Sequence, residues 1–446
     1  MTLHSTISPT DTKERIHSMD IIRGISVFGI LLMNIVGFGL HKAYEDPTNS
    51  GGATGWDLNV WWINSMFFEG TMRGMFSILF GAGILLFTGR SENNSGSSVT
   101  DLYFRRLLWM LLFGVIHCYL LLWDGEILYA YAVVGMFAFS FRHLKPKHLI
   151  VGATLIFLVA LALSIKEYFK ANHMFESAAI AEQKKSQGEH LNKEEENAIS
   201  QWNNKVSELK TTPEQVKDEM DARSKGYLSI VMHKAPLNEF MQTTFFYRLN
   251  FWDILAMMLL GMAFFKLGIL KAARSTRFYL LMAVIGYSFG IAVNYFESSQ
   301  LMSNNFSILS FYRTWMTYNL GRIPMTMGHI ALIMLFIKSE WLPLLQKALA
   351  AVGQMAFTNY ITQSIICNII FLGYGFSMFG KLQRHELYYI VVSIWIFQLI
   401  VSPIWLTYFR FGPLEWVWRS LTYWQRQPFR KAVDNSANAS KLAEVY

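Results

Sequence analysis

The stretch ALAAVGQMAFTNYITQSIICNIIFLGYGFSMFG, residues 348–380, decides the class of fold. Its 33 residues include no Lys, Arg, Asp or Glu, and residues 387–409 form a second uncharged run of 23. A helix that crosses the hydrocarbon core of a membrane needs about 20 largely apolar residues. Both runs are therefore predicted to be membrane helices, because neither suits a soluble domain.

The composition of the whole chain agrees with that prediction. Hydrophobic residues make up 53% of the 446 residues, and charged residues make up 16%, against about 25% in a typical soluble domain. An aromatic content of 15% excludes an intrinsically disordered chain. Cys118 and Cys367 both lie in apolar runs, so we expect no disulfide framework and no Cys-based zinc site.

Apolar runs recur along the chain and predict an all-α polytopic membrane protein with about ten transmembrane helices. They are centred on residues 25–40, 66–87, 107–123, 127–141, 149–165, 251–270, 278–296, 318–337, 348–372 and 387–409. No small-residue cleavage pattern follows the first run, which predicts an uncleaved span and not a secretory signal.

The basic residues predict the orientation, because cytoplasmic loops carry an excess of Lys and Arg. If both termini are cytoplasmic, the segments on that side hold 20 Lys and Arg, and the short loops on the other side hold four. We therefore predict a multi-pass protein with both termini in the cytoplasm. The net charge of +8 reflects this placement, so we expect membrane lipids and not nucleic acid as partners.

One long polar segment, residues 166–248, interrupts the pattern and is predicted to lie outside the cytoplasm. It holds 12 basic and 13 acidic residues, and segments of this length are exempt from the charge rule. Asn192 with Glu195, and Thr212 with Gln215, have the spacing of helix capping boxes. The segment is either a helical cap or a docking module.

These features predict four parts. They are an N-terminal membrane half at 1–165, an extracytoplasmic helical insertion at 166–248, a C-terminal membrane half at 249–410, and a cytoplasmic amphipathic segment with the tail at 411–446.

Polar side chains within the spans are the candidates for function. An ionisable group inside a bilayer costs at least about 2.5 kcal/mol and tends to face a bundle interior or a wet cavity. The candidates are Asp20, Arg23, Asn34, Glu69, Arg73, His117, Asp124, Glu126, Arg322, His329, Asn359 and Gln363. Each also has a structural explanation, as an ion pair, a buried histidine or an interhelical hydrogen bond. We expect these groups to meet around one solvated hollow.

Helical spacing relates several of them. Asp20 and Arg23 lie three apart and can pair, and Arg23 and Asn34 lie about 16 Å apart on nearly the same face. His117 can exchange a proton near neutral pH, as a general base must. His117 and Asp124 share a face but lie about 10 Å apart along the axis, which excludes a direct hydrogen bond in a regular helix.

Several short stretches together resemble the YeiB-type family of bacterial inner-membrane proteins, whose C-terminal half is a domain of unknown function. They are SMDIIRG at 18–24, LFGAG at 79–83, IH at 116–117, WDGEIL at 123–128, GQMAFTNY at 353–360 and GPLEWVWR at 412–419. The resemblance runs from about residue 15 to residue 423 and implies a bacterial cytoplasmic-membrane location.

That family is grouped with transmembrane acyltransferases, including the heparan glucosaminide acetyltransferase type, which passes an acetyl group from cytosolic acetyl-CoA to an amino sugar. The similarity is closest in the first span, at Asp20, Arg23, Gly24 and Asn34. Acyltransferase relatives have a His at the Asn34 position, or an Asn followed by a catalytic His in the next loop. His41 is the histidine in that loop, and it is closer to Asn34 than its counterpart in the acetyltransferase.

The leading hypothesis is an acyltransferase that moves an acyl group from a cytoplasmic acyl-CoA to a hydroxyl or amine of a small molecule, glycan or lipid. The residues predicted to be catalytic are His117, Asn34 and Asp124. Those predicted to bind the donor are Arg23, Arg73 and Asp20. Those predicted to bind the acceptor are Glu126, Asn359, Gln363 and His41. No metal is expected, and the chain is compatible with a homo-oligomer.

Within this hypothesis His117, or alternatively His41, takes the acceptor proton, and Asn34 and Asn359 hold the carbonyl oxygen. Asp124 or Glu126 orients the acceptor. Two other classes of function stay open. One is a transporter or lipid-handling protein that uses the buried charges as a pathway. The other is a structural membrane partner that docks through the insertion.

Overall fold

The apolar runs of the sequence form long α-helices. The structure, a computed structural model, describes residues 16–89 and 97–431. Its α-helices are α1 His17–Gly39, α2 Gly55–Phe67, α3 Thr71–Gly89, α4 Ser97–Tyr119, α5 Leu128–Ala138, α6 Pro146–Ser186, α7 Lys193–Leu209, α8 Pro213–Arg223, α9 Tyr227–Phe240, α10 Phe251–Lys266, α11 Thr276–Ser303, α12 Ile308–Lys338, α13 Pro343–Gln354, α14 Ala356–Phe371, α15 Arg384–Tyr408 and α16 Pro413–Tyr423. A π-helical segment, Met241–Asn250, joins α9 to α10.

Seven helical stretches in the described residues are long and apolar enough to cross a membrane. They are His17–Gly39, Gly55–Gly89, Pro146–Ser186, Tyr227–Lys266, Thr276–Ser303, Ile308–Lys338 and Arg384–Tyr408, and Leu128–Phe141 is a shorter apolar helix. Because these ranges contain helices and no strand, the predicted all-α polytopic membrane class is confirmed. The number of ten spans stays a prediction, since α14 has only 16 residues.

α1 lies at the centre of the helix bundle. Most of its residues are buried, and it packs against α3, α13, α14 and α15. The closest crossing is with α13, where Gly24 faces the backbone of Leu349 and Gly353 faces the backbone of Asp20. A Cβ at Gly24 would lie 3.2 Å from the Gly353 nitrogen. Small residues allow two helices to approach this closely in a membrane, which explains the glycines of both motifs.

The longest uncharged run is not one helix. Met355, with φ −106° and ψ 27°, separates α13 from α14, so the predicted single span at 348–372 is interrupted. Glu415 of α16 accepts hydrogen bonds from Phe357 N (2.7 Å), Thr358 N (3.0 Å) and Thr358 Oγ1 (2.5 Å) at the start of α14. A carboxylate there satisfies free N–H groups and interacts favourably with the helix dipole. The C-terminal helix therefore stabilises the interruption.

The insertion is helical, as predicted. The capping boxes at Asn192 and Thr212 are both present and begin α7 and α8. α6 and the stretch Tyr227–Lys266 continue without a break from the membrane helices into the insertion. The predicted boundaries at 165/166 and 248/249 fall inside these helices, and they stay predictions.

Contacts of the insertion define two sides of the membrane domain. On the insertion side, Lys210 pairs with Asp46 in the loop at 40–54, and Lys234 pairs with Asp124 (2.7 Å) in the loop at 120–127. The opposite side, which we call the tail side, carries the start of α1 and the helix α16. The tail side is the predicted cytoplasmic side, and that orientation stays a prediction.

Candidate functional site

Polar side chains from the 40–54 loop, the α2–α3 turn, α12 and α15 come together beside α1 on the insertion side, and we call the place where they meet the insertion-side hollow. Tyr44 Oη lies against Gly37 of α1, where a Cβ would be 2.5 Å away. The Tyr44 hydroxyl also interacts electrostatically with Glu69 and Tyr388, which belong to two other elements. Tyr44 is nevertheless 41% exposed. Tyr44 therefore contacts several elements while part of its side chain stays accessible to solvent.

Glu45, the next residue of the same loop, lines this space as well. Its carboxylate interacts with Glu69 and Trp315, and Trp61 Nε1 donates to its backbone oxygen at 3.0 Å. Burial, together with the negative charge of Glu69, raises the pKa of Glu45 to about 7. A carboxyl group with a pKa near neutrality can act as a general acid or base.

Asn34 is placed towards the same hollow. It lies three residues before Gly37, hence on the helical face that Tyr44 contacts. Asn34 is half-buried, and it has no hydrogen-bond partner among the described residues. An amide at membrane depth is costly unless water or a ligand reaches it, so its position supports access to the hollow.

A network of ion pairs lies next to the hollow, within the membrane domain. Arg322 makes a bidentate ion pair with Asp253, and Arg73 approaches the same carboxylate at 3.5 Å. Arg73 Nη1 also donates to Asn250 Oδ1 at 3.1 Å, at the end of the π-helical segment. Glu69 interacts with Arg73 and Arg322. The predicted pairing of Glu69 with Arg73 is therefore part of a larger network, in which two arginines share Asp253.

His117 belongs to a separate, closed cluster. Its Nε2 shares a hydrogen bond of 2.8 Å with Ser364 Oγ, and its Nδ1 lies 3.6 Å from Glu126 Oε1. The side chains of His117 and Glu126 are 0% and 1% exposed. Glu126 also accepts hydrogen bonds from the Leu128 and Tyr129 N–H groups at the start of α5. Only Nε2 of His117 is hydrogen-bonded, whereas Nδ1 is buried beside Glu126 without a hydrogen-bond partner among the described residues.

Asp124 lies apart from His117 and pairs with Lys234 of the insertion. The Lys234 ammonium holds the pKa of Asp124 below its usual range in spite of burial. His41 also faces the insertion, where it interacts with Glu219 and Arg223, and burial lowers the pKa of its ring.

Asn359 and Gln363 make interhelical hydrogen bonds. Asn359 Nδ2 donates to Val352 O and to Ser402 Oγ, both at 3.1 Å. Gln363 Nε2 donates to Gln398 Oε1 at 3.0 Å, and the Gln398 amide donates in turn to Asn359 O at 2.9 Å. Asn359 and Gln363 are buried, and α14 and α15 are joined by this chain of amides.

Asp20 and Arg23 lie at the tail-side end of α1. Arg23 Nη1 donates to Asp20 Oδ1 at 2.9 Å and reaches Gly353 O at 3.5 Å, so the predicted ion pair is present. Arg73 is not beside them, because it joins Asp253 and Arg322 near the hollow.

The predicted site residues are therefore distributed over several places. Asn34 and Arg73 lie at the hollow, His117 and Glu126 form the closed cluster, and the others lie at the tail side, at the insertion or in the amide chain. Sequence reasoning missed Tyr44, Glu45, Trp315, Asp253 and Ser364. Asp253 had a signal, since a carboxylate at the start of an apolar run requires a partner. Glu45 had no such signal in the sequence, because charged residues are common in loops and do not by themselves indicate a site.

Fold and site define a polytopic α-helical membrane protein with a polar interior. Residues 264–425 match the family model described as "Protein of unknown function (DUF418)". The chain is 32% identical over 445 residues to "Uncharacterized protein YxaH" of Bacillus subtilis (strain 168), covering 96% of this chain and 99% of that protein. It is 29% identical over 419 residues to "Uncharacterized protein YeiB" of Escherichia coli (strain K12), covering 92% and 96%.

The chain belongs to this YeiB-like family, as the resemblance of its motifs predicted. No solved structure matches it.

Proposed function

We propose that the protein is a membrane acyltransferase that passes an acyl group from an acyl-CoA, bound from the tail side, to a hydroxyl or amine acceptor in the insertion-side hollow. One observation supports this proposal most directly. α1 joins an arginine at its tail-side end, Arg23, to the unpartnered amide of Asn34, which lies at a hollow that also holds Glu45. A single central helix thus connects a site for anionic groups with a site for proton transfer.

In the proposed reaction, the acceptor oxygen or nitrogen attacks the carbonyl carbon of the thioester. The Asn34 amide donates a hydrogen bond to the carbonyl oxygen as negative charge develops on it. The bond from carbon to sulfur then breaks, and the acceptor proton passes through the base to the CoA thiolate. The products are the acylated acceptor and free CoA thiol.

We assign the base to Glu45. It is open to the hollow, and burial raises its pKa to about 7, close to the pH at which a base must accept and release a proton. His117, which the sequence favours, is fully buried, hydrogen-bonded to Ser364 and 3.6 Å from Glu126, so it is closed off from the hollow. The role of His117 in this proposal is to hold the 120–127 loop in place.

The test is incubation of the purified protein with radiolabelled acyl-CoA donors and with panels of amine and hydroxyl acceptors. Turnover is compared among wild type, Glu45→Gln, His117→Ala and Asn34→Ala. His329→Ala is the matched control for His117, because His329 is a half-buried histidine bonded to Tyr287 (2.9 Å) and Phe67 O (2.7 Å) away from the cluster. Loss of turnover in His117→Ala with retention in Glu45→Gln would return the base to His117. No acyl transfer by the wild type would reject the enzyme.

A transporter is the second candidate, and specific observations favour it. A π-helical segment ends at Asn250, three residues before Asp253, and α13 and α14 are divided at Met355. Interrupted helices beside buried charges recur at the substrate sites of transporters. Uptake of radiolabelled substrates into proteoliposomes, with Asp253→Asn as the variant, separates this function from acyl transfer.

A further inference from the structure

An arginine on the tail side is held between two aromatic rings. The Arg106 guanidinium carbon lies 4.4 Å from the ring centre of Trp418 and 5.3 Å from that of Phe87. Trp418 Nε1 donates to the Arg106 backbone oxygen at 2.9 Å, which fixes α16 against α4. A stacked guanidinium keeps its edge N–H groups free for an anion, since the rings engage only its faces.

The neighbouring arginine is held in a similar way. The Arg105 guanidinium carbon lies 4.6 Å from the ring centre of Trp424, and Arg105 Nη1 donates to Thr422 O at 3.2 Å. Arg105 and Arg106 are both half-buried, which means that part of each side chain remains open to solvent. Two adjacent guanidiniums are thus oriented by the same C-terminal helix.

No carboxylate of the described residues neutralises Arg105 or Arg106. Neither arginine forms an ion pair within residues 16–89 and 97–431, and Arg23 lies close enough to repel Arg106. Asp20 is bound to Arg23. The Glu415 oxygens accept the hydrogen bonds that begin α14, so that carboxylate is also engaged. Asp20, paired with Arg23, is thus the one carboxylate ion-paired to these three arginines among the described residues. We call the place that Arg23, Arg105, Arg106 and α16 border the tail-side cleft.

We propose that the tail-side cleft binds the phosphate of a phosphate-bearing ligand, and that Arg105 and Arg106 are its anchors. Guanidiniums bind phosphate oxygens through paired, charge-assisted hydrogen bonds. The phosphates have two sources, the nucleotide end of the acyl-CoA or the headgroup of an anionic lipid. The first source rests on the proposed function and adds the residues that recognise its donor.

The experiment titrates the full-length protein in detergent with 3′-phosphoadenosine 5′-diphosphate, which is the nucleotide end of CoA. In parallel, it titrates the protein in nanodiscs with increasing phosphatidylglycerol. The variant is Arg105→Gln with Arg106→Gln. The matched control is Arg142→Gln, because Arg142 also stacks on an aromatic ring, Phe139, at 3.8 Å, but on another helix end. Thermal unfolding confirms that each variant is folded.

We expect at least tenfold weaker nucleotide binding in the double variant, wild-type binding in the control, and weaker binding at high salt, because the contacts are ionic. We expect Arg106→Lys to retain only part of the affinity, because an ammonium does not present the paired edge of a guanidinium. With an acyl-CoA substrate, the KM of the double variant should rise while kcat stays unchanged.

The outcomes separate the two proposals. Equal affinity of wild type and double variant for both ligands overturns the cleft. Binding of phosphatidylglycerol alone, lost in the double variant, supports the cleft with lipid as its source and overturns the nucleotide. If nucleotide binding depends on Arg105 and Arg106 while the wild type transfers no acyl group, the result supports the cleft as a phosphate site and contradicts the proposed acyltransferase function. If the double variant transfers acyl groups with an unchanged KM, the proposed acyltransferase function stands. The proposal that the tail-side cleft binds the donor is then wrong.

Discussion

The two ends of α1 differ in how they treat polar groups. At the tail side, Asp20 and Arg23 neutralise each other, and Gly24 lets α13 approach to backbone contact. At the insertion side, Asn34 has no partner among the described residues, and Gly37 faces the hydroxyl of Tyr44 instead of a helix backbone. One helix therefore combines a closely packed end with an open one.

Within α1, this difference separates polar groups that pair inside the protein from polar groups that are left open to a ligand. A polar group that pairs within the protein contributes to the fold, whereas one left open at membrane depth is costly unless a ligand or water reaches it. The cluster of His117 and Ser364 resembles the packed end of α1 in being closed to solvent, since the side chains of His117 and Glu126 are 0% and 1% exposed. The insertion-side hollow and the tail-side cleft are the exceptions, because each holds polar groups without a hydrogen-bond partner among the described residues.

The largest effect is expected from Arg322→Gln. This change leaves Asp253 with only the longer contact to Arg73, and breaking a buried ion pair costs about 3–5 kcal/mol. Arg23→Gln is the control, because its pair is one-third open to solvent and such pairs contribute about 1 kcal/mol or less. Denaturant unfolding in mild detergent measures both. Equal losses of unfolding free energy in the two variants would contradict the difference in burial between the two ion pairs.

Asn34→Ala should reduce kcat by about a hundredfold to a thousandfold, as expected for removal of one donor to a developing oxyanion. Asn359→Ala should instead lower stability and leave the turnover of the folded fraction near wild type, because Asn359 bonds to Val352 O and Ser402. Acyl-transfer kinetics and thermal unfolding measure the two effects. The reverse pattern would move the site to the amide chain on α14 and α15.

Glu45→Gln should reduce kcat/KM by about a hundredfold, the lower end for loss of a general base. The base acts when it is deprotonated, and the pKa of Glu45 is raised to about 7, so wild-type activity should rise as the pH increases through 7. In Glu45→Gln this rise should be absent. A pH–rate profile from pH 5 to 9 decides the point, and an unchanged rise would show that another group titrates.

The smallest effect separates two glycines. Gly24→Ala places a methyl group against the backbone of α13 and should cost about 1–3 kcal/mol of stability. A methyl group at Gly83 of α3 meets no atom within 4 Å, so Gly83→Ala should stabilise the helix by about 0.5–1 kcal/mol. Thermal unfolding of the two variants is the measurement. Tolerance of Gly24→Ala would mean that the tail-side end is not closely packed.

Much of the fold could be predicted from the sequence, because apolar runs, capping boxes and charge placement are local signals. The interruption at Met355 could not, since its cause is Glu415, which lies 60 residues further along the chain. The pair of Asp20 and Arg23 was readable from helical spacing. Ser364 beside His117, and Asp253 between two arginines, depend on which helices are neighbours, and a single sequence does not encode that in any short pattern.

The way the insertion is attached has a consequence for substrate entry. α6 crosses one junction as a continuous α-helix, and the stretch Tyr227–Lys266 crosses the other with a π-helical segment, so neither junction contains a loop. The insertion is thus attached to the membrane domain through helices on both sides. For the proposed acyltransferase, this attachment favours an acceptor that enters sideways between the helices, and hence a lipid-borne molecule.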